Sequence, residues 1–188
     1  MATIWCVSAP LYSHTDWGGF LKTAKALQAK GHDIIWVSQP VLEGALQQKG
    51  IHFEGIEETG WLWPPPPAPD VTKMPPQEAV QLRYTRALDT WLSEDLVARG
   101  VECLLDLASR IGKPDAMLID PFLTAAALAA EKLDVPLFVA GWPAQASLDE
   151  NALFPVQKNL SSDSMQRLLR LFEKFDVEGI NFSKGTAP

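Results

Sequence analysis

Residues 3–38 read TIWCVSAPLYSHTDWGGFLKTAKALQAKGHDIIWVS, and the change of period within that stretch decides the fold. TIWCVSA (3–9) is a short, nearly continuous apolar run rich in β-branched and aromatic residues, as in a strand buried on both faces. From Phe20 to Lys30 the apolar residues Phe20, Leu21, Ala24 and Leu27 recur at helical spacing, with lysines on the other side and Gly31 as a C-terminal stop. DIIWVS (33–38) is then a second buried strand. A strand, a helix and a strand in such short compass imply parallel strands joined by a crossover.

The same alternation extends along the chain. VLEGALQQK (41–49) reads as a helix ending at Gly50, and IHFEGI (51–56) as a weaker third strand. From Gln77 to Arg110 the helical period returns. Val80, Tyr84, Leu88, Trp91 and Leu92 mark one face, Val101, Leu104, Leu105 and Ala108 another, and Gly100 is placed at a bend or boundary between two helices. AMLID (116–120), TAAALAAEKL (124–133) and PLFVAG (136–141) give a further strand, helix and strand. SSDSMQRLLRLFEKF (161–175) reads as an amphipathic helix, with Met165, Leu168, Leu169, Phe172 and Phe175 as its stripe and Asp163 and Gln166 at capping-box spacing. The expected fold class is α/β: one domain with a Rossmann-like, doubly wound parallel sheet and helices on both faces. One stretch breaks the rhythm. WLWPPPPAPDVTKMPP (61–76) holds seven prolines in sixteen positions, so it is a long loop, partly polyproline II, of the kind that serves as a lid or binding segment.

Composition narrows the function. The chain has 188 residues, 47% of them hydrophobic and 21% charged, which is ordinary for a globular domain able to bury its own core. A formal net charge of -7 and the lack of a lysine and arginine run argue against nucleic acid or an anionic membrane as partner. MATIWCVSAP has no basic leader, and AMLIDPFLTAAALAA is too short to span a bilayer and is broken at Asp120-Pro121, so a cytoplasmic protein without a transmembrane segment is expected. Cys6 and Cys103 form no CxxC and read as small buried hydrophobes. No HExxH or DxD motif indicates a protein-bound catalytic metal, and no GxGxxG or GxxxxGK[ST] follows the first strand.

In open parallel sheets, ligands bind beyond the carboxyl ends of the strands. His14, in the loop after the first strand, and Asp120, the last residue of AMLID, belong to that one rim. A neutral imidazole there can accept a hydroxyl proton, with the carboxylate fixing its tautomer. The plainer alternatives are a hydrogen-bonded turn residue for His14 and a helix N-cap for Asp120. His32 and His52 read as structural and exposed, respectively. Of the seven tryptophans, Trp5, Trp36 and Trp91 read as core or helix stripe. Trp17, Trp61, Trp63 and Trp142 fall in rim loops, where they either line an apolar ligand site or cover the sheet ends.

The His-containing loop, the following helix and AKGHDIIWVS resemble the opening of GT-B glycosyltransferases of the family 1 type. PDAMLIDPFLTAAALAAEKLDVPLFVAGWPA is similar to the later part of the same N-terminal domain. The resemblance implies that residues 1–188 form an acceptor-binding N-terminal domain, with His14 as base and Asp120 orienting it. It further implies inverting, metal-independent transfer of a sugar from a nucleotide sugar to a small-molecule acceptor. Trp17, Trp61, Trp63 and Trp142 would line the acceptor pocket. The loop is longer than the family's GHxxP form and lacks its proline, which puts Asp16 in reach of the ligand as well. No cofactor is implied for this domain. The nucleotide sugar would bind mainly to a C-terminal donor-binding domain or a separate subunit, without which the chain is inactive. The alternative is a stand-alone ligand-binding module or one subunit of a two-chain glycosyltransferase.

Overall fold

The computed structural model describes residues 1–140 and 155–182. Five strands, β1 (Thr3–Val7), β2 (Asp33–Ser38), β3 (His52–Gly55), β4 (Ala116–Ile119) and β5 (Leu137–Val139), form one sheet in the order β3-β2-β1-β4-β5. Every pairing is parallel, as the crossover pattern requires. The chain winds outward from β1 to β3, then returns to place β4 on the other side of β1, so the winding reverses between β1 and β4.

The register explains why these strands carry no polar face. Trp5 pairs with Ile35 and Met117, and Cys6 with Trp36 and Leu118, so successive residues point to opposite sides and both sides are buried. On one side Trp5, Val7, Ile35, Val37, Met117 and Ile119 pack with α4 (Pro76–Trp91), α5 (Glu94–Ile111), α6 (Thr124–Lys132) and α7 (Pro155–Phe175). On the other, Cys6, Ile34, Trp36, Phe53 and Leu118 pack with α2 (Phe20–Ala29) and α3 (Glu43–Gln48). Burial pushes the Cys6 thiol up to about 12, so it behaves as the small hydrophobe expected. Cys103 departs from that expectation by being only partly buried on α5. Two serines close the strand ends: Trp36 Nε1 donates to Ser8 Oγ at 2.9 Å, and Ser38 Oγ donates to the Ser8 carbonyl at 2.8 Å.

Four details of the sequence reading change. The loop after β1 contains a one-turn helix, α1 (Tyr12–Asp16), and His14 lies within it. Residues 40–49 divide into a 3₁₀ turn at Pro40–Leu42 and α3. The break in the long helical stretch falls at Leu92 and Ser93, where Ser93 is extended and Glu94 and Asp95 begin α5; Gly100 lies inside α5. The apolar stripes are also narrower than their periodicity implies. On α4 only Leu88 is buried while Val80 and Tyr84 are exposed, because only the last turns of that helix reach the core.

Among the described side chains of α7 the buried ones are Leu168, Leu171 and Phe175, while Met165 is 53% and Leu169 55% exposed. Ion pairs flank that buried face. Arg167 bonds Asp89 at 2.8 Å, Arg170 bonds both oxygens of Glu94 at 2.8 and 2.5 Å, and Lys174 lies 3.0 Å from Glu102. The hydrogen bond from Arg170, ahead of its charge, holds the Glu94 carboxyl below the ordinary glutamate range. Its stabilising contribution is therefore complete above that range and lost as pH falls through the lowered value.

In urea unfolding, Leu168→Ala is expected to cost about 2–5 kcal/mol and Leu169→Ala less than about 0.5 kcal/mol. Glu94→Gln should remove part of the acid-side fall in stability, a small part because the pair is half exposed, about 0–1 kcal/mol.

Candidate functional site

Asp120 follows β4 directly, and its amide donates to the Val7 carbonyl at 2.9 Å, extending the β1–β4 ladder by one residue. Its carboxylate is thereby held beside the chain that leaves β1. That chain turns at once: Leu11 N–H bonds the Ala9 carbonyl at 2.8 Å and His14 N–H the Leu11 carbonyl at 3.0 Å, which brings the imidazole back over the strand end. His14 Nδ1 meets Asp120 Oδ2 in a hydrogen bond, with the two residues 8% and 1% exposed. The other oxygen, Oδ1, accepts the Phe122 amide at 3.1 Å. Asp120 is thus not the N-cap of α6. That position belongs to Leu123, and no side chain caps the helix.

With Asp120 as a carboxylate, which can only accept, the proton in the shared bond belongs to Nδ1. Nε2 then carries the lone pair. Among the described residues no group bonds Nε2. The pair therefore has the form of a general base with its orienting carboxylate.

Rings surround the imidazole. Trp17 and Trp61 meet it nearly perpendicularly, with centroids at 5.1 and 5.0 Å and interplanar angles of 84° and 72°. Phe122 lies 6.2 Å away and touches Trp17 at 5.3 Å, and Trp91 stacks on Trp61 at 6.3 Å and meets Phe122 at 5.5 Å. Trp17 follows α1, three residues after His14, and the chain then reverses through Gly18 (φ 58°) and Gly19 (φ 77°), left-handed conformations natural to glycine, before α2 begins.

The candidates divide accordingly. His14, Asp120, Trp17 and Trp61 converge. Asp16 is exposed on α1. Trp63 is 38% exposed in the proline-rich loop, where Arg86 Nη2 donates to the carbonyls of Pro66 and Pro67, at 3.0 Å each. Trp142 lies outside the described residues. Two members of the cluster escape the sequence reading. Trp91 reads there as helix stripe, and Phe122 has only its place two residues after Asp120 to mark it. His32 and His52 stay apart, the latter 3.2 Å from Glu54 on β3. Among the described residues, no three His, Cys, Asp or Glu side chains gather as metal ligands, and no helix is long and apolar enough to cross a membrane.

No protein-family model matches the chain, and no curated protein matches it in sequence. Solved structures do match. The glycotransferase of kitacinnamycin superposes with a TM-score of 0.63 at 19% identity, over 100% of this chain and 44% of that one. SsfS6, a Streptomyces sp. SF2575 glycosyltransferase, gives 0.57 at 18% identity over 94% and 47%. CalG4, the calicheamicin glycosyltransferase, gives 0.56 at 16% identity over 95% and 43%. The chain has the fold of one half of a GT-B glycosyltransferase and spans less than half the length of these structures. At such identities the likeness establishes the fold.

Two measurements check the dyad. Nitrogen-15 NMR should show His14 as the Nδ1–H tautomer, and Asp120→Ala should abolish that preference and cost about 1–3 kcal/mol by stranding the buried His14 donor and the half-buried Phe122 amide.

Proposed function

We propose that this chain is the acceptor-binding, N-terminal half of an inverting glycosyltransferase that transfers a sugar from a nucleotide sugar to a hydroxyl of a small, partly apolar acceptor. The observation that carries this reading is the buried His14–Asp120 pair at the point where the winding of the sheet reverses. With Nδ1–H committed to Asp120, Nε2 takes the proton of the acceptor hydroxyl as its oxygen bonds to the anomeric carbon. The bond from that carbon to the nucleoside diphosphate breaks on the opposite face, the leaving group departs with the bonding pair, and the configuration inverts. Asp120 stabilises the imidazolium formed on His14.

Trp17 and Trp61 stand closest to the base and form the inner wall for the acceptor, with Asp16, Trp63 and Trp142 further out. The apolar rings favour an acceptor with an apolar or aromatic body. The donor binds mainly to a second domain, in the same polypeptide or as a separate subunit, and the resemblance to GT-B enzymes implies that no metal takes part. A cytoplasmic location suits a reaction that uses nucleotide sugars.

Calorimetry on the 188-residue chain with UDP-glucose and dTDP-glucose is expected to show negligible binding; a micromolar dissociation constant without a partner contradicts the assignment. With the donor-binding half joined to it and a naphthol as acceptor, His14→Ala is expected to lower kcat by about 10²–10⁴-fold. The acceptor KM should change little. Unchanged turnover would rule out His14 as the base.

A further inference from the structure

The turn that carries Trp61 rests on a contact between two glycines. Gly60 has φ +85° and lies against Gly100, in the middle of α5. A Cβ on Gly100 would stand 2.6 Å from the Gly60 nitrogen, 2.8 Å from the Thr59 carbonyl carbon and 2.9 Å from Ala125 Cβ on α6. A Cβ on Gly60 would stand 2.9 Å from Ala125 Cβ and 3.3 Å from Val97 Cα. The backbone of the turn thus lies directly on the backbone of α5 at Gly100, with the Ala125 methyl of α6 beside it. Glycine in a helix interior is less favourable than alanine, so Gly100 meets a demand that the stability of α5 itself does not impose.

Further contacts hold the turn on this seat. Glu58 Oε1 accepts the amides of Thr59 and Gly60 at 2.9 Å each, and Arg99, next to Gly100, lies 3.7 Å from Glu58 Oε2. Downstream, the Leu62 amide donates to the Thr90 carbonyl at 2.8 Å. Trp61 leaves the turn between these anchors, buried, with its ring 5.0 Å from His14.

We infer that Gly100 is a positioning residue for the His14 imidazole, acting through Trp61. The inference rests on the reading of His14 as the acceptor base. Gly100 touches neither member of the dyad. By admitting the Thr59–Gly60 backbone onto α5, it sets how closely the Trp61 indole approaches the imidazole. The single bond at Nδ1 leaves that ring a pivot, and the perpendicular contacts of Trp61 and Trp17 stop it from tilting. Nε2, across the ring from the pivot, moves most when one of them withdraws. A displacement of about 1 Å at a reacting group costs on the order of 100-fold in rate.

The test compares Gly100→Ala, Trp61→Ala, the double variant and Glu58→Ala in the 188-residue chain, reading the His14 ring-proton shifts by NMR and the thermal midpoint separately. Gly100→Ala and Glu58→Ala are expected to move the His14 signals in the direction that Trp61→Ala does, as the indole ring current is withdrawn. The double variant should match Trp61→Ala, the non-additivity of two changes acting through one contact. A lowered midpoint with His14 signals at their wild-type positions would mean that Gly100 serves packing alone and would overturn the inference. Should Gly100→Ala fail to fold, Ala125→Ser crowds the same Gly60–Gly100 seat from α6, and unmoved His14 signals beside shifted Gly60 amide signals there overturn the inference equally. With the donor-binding half joined and a naphthol acceptor, Gly100→Ala should lower kcat about tenfold, a partial form of that misplacement cost, beside any rise in KM from moving Trp61 in the acceptor wall. A change confined to KM argues against positioning. Wild-type transfer by His14→Ala would sink the proposed function instead, and the NMR comparison still decides whether Gly100 places the ring.

Discussion

Residue pairs from Ile4–Ala116 to Val7–Ile119 join β1 to β4, and the Asp120 amide adds one more rung by donating to the Val7 carbonyl at 2.9 Å. Remove that pairing and the two sides of the sheet lose their junction. The candidate site loses its address as well, because His14 and Asp120 come from the ends of these two strands. Parallel strands deliver their carboxyl ends to the same rim, so the residues that follow them become neighbours across a separation of 106 in sequence. The dyad is a by-product of strand order.

Its burial demands compensation. A carboxylate taken out of water is costly unless its oxygens are bonded. Asp120 meets that condition with the imidazole on one oxygen and the Phe122 amide on the other. The second bond also sets the direction of the chain entering α6, which puts the Phe122 ring among Trp17, Trp61 and Trp91. Polar satisfaction and aromatic packing are therefore one arrangement, and the Gly60–Gly100 contact supplies its remaining wall.

Much of the fold was legible because it rests on short-range regularities. The buried runs TIWCVSA and DIIWVS, with a lysine-faced helix between them, admit few readings other than parallel strands with a crossover. The alternation of Trp5 and Cys6, and of Ile35 and Trp36, between the two faces follows from pleating alone. The helix stripes were less legible. Periodicity marks Met165 and Leu169 as readily as Leu168, and only packing against the other helices, with the ion pairs of Arg167, Arg170 and Lys174 alongside, distinguishes the face that is buried. Gly100 misled for a related reason. A glycine in a helical run signals a break when only local propensity is weighed, yet here it admits the backbone of another segment.

The sequence by itself determined the layers of this protein: which runs are strands, which are helices, and that His14 and Asp120 belong to one rim. Those properties depend on residue spacing along the chain. Tertiary structure alone decided that Nδ1 of His14 reaches Asp120, that Trp91 and Phe122 join Trp17 and Trp61 around the ring, and that Asp16 and Trp63 stand apart. The dyad depends on a pairing between strands that are far apart in sequence, and the place of Trp61 beside the imidazole on a close approach of the Thr59–Gly60 backbone to Gly100 of α5, neither of which residue spacing along the chain records.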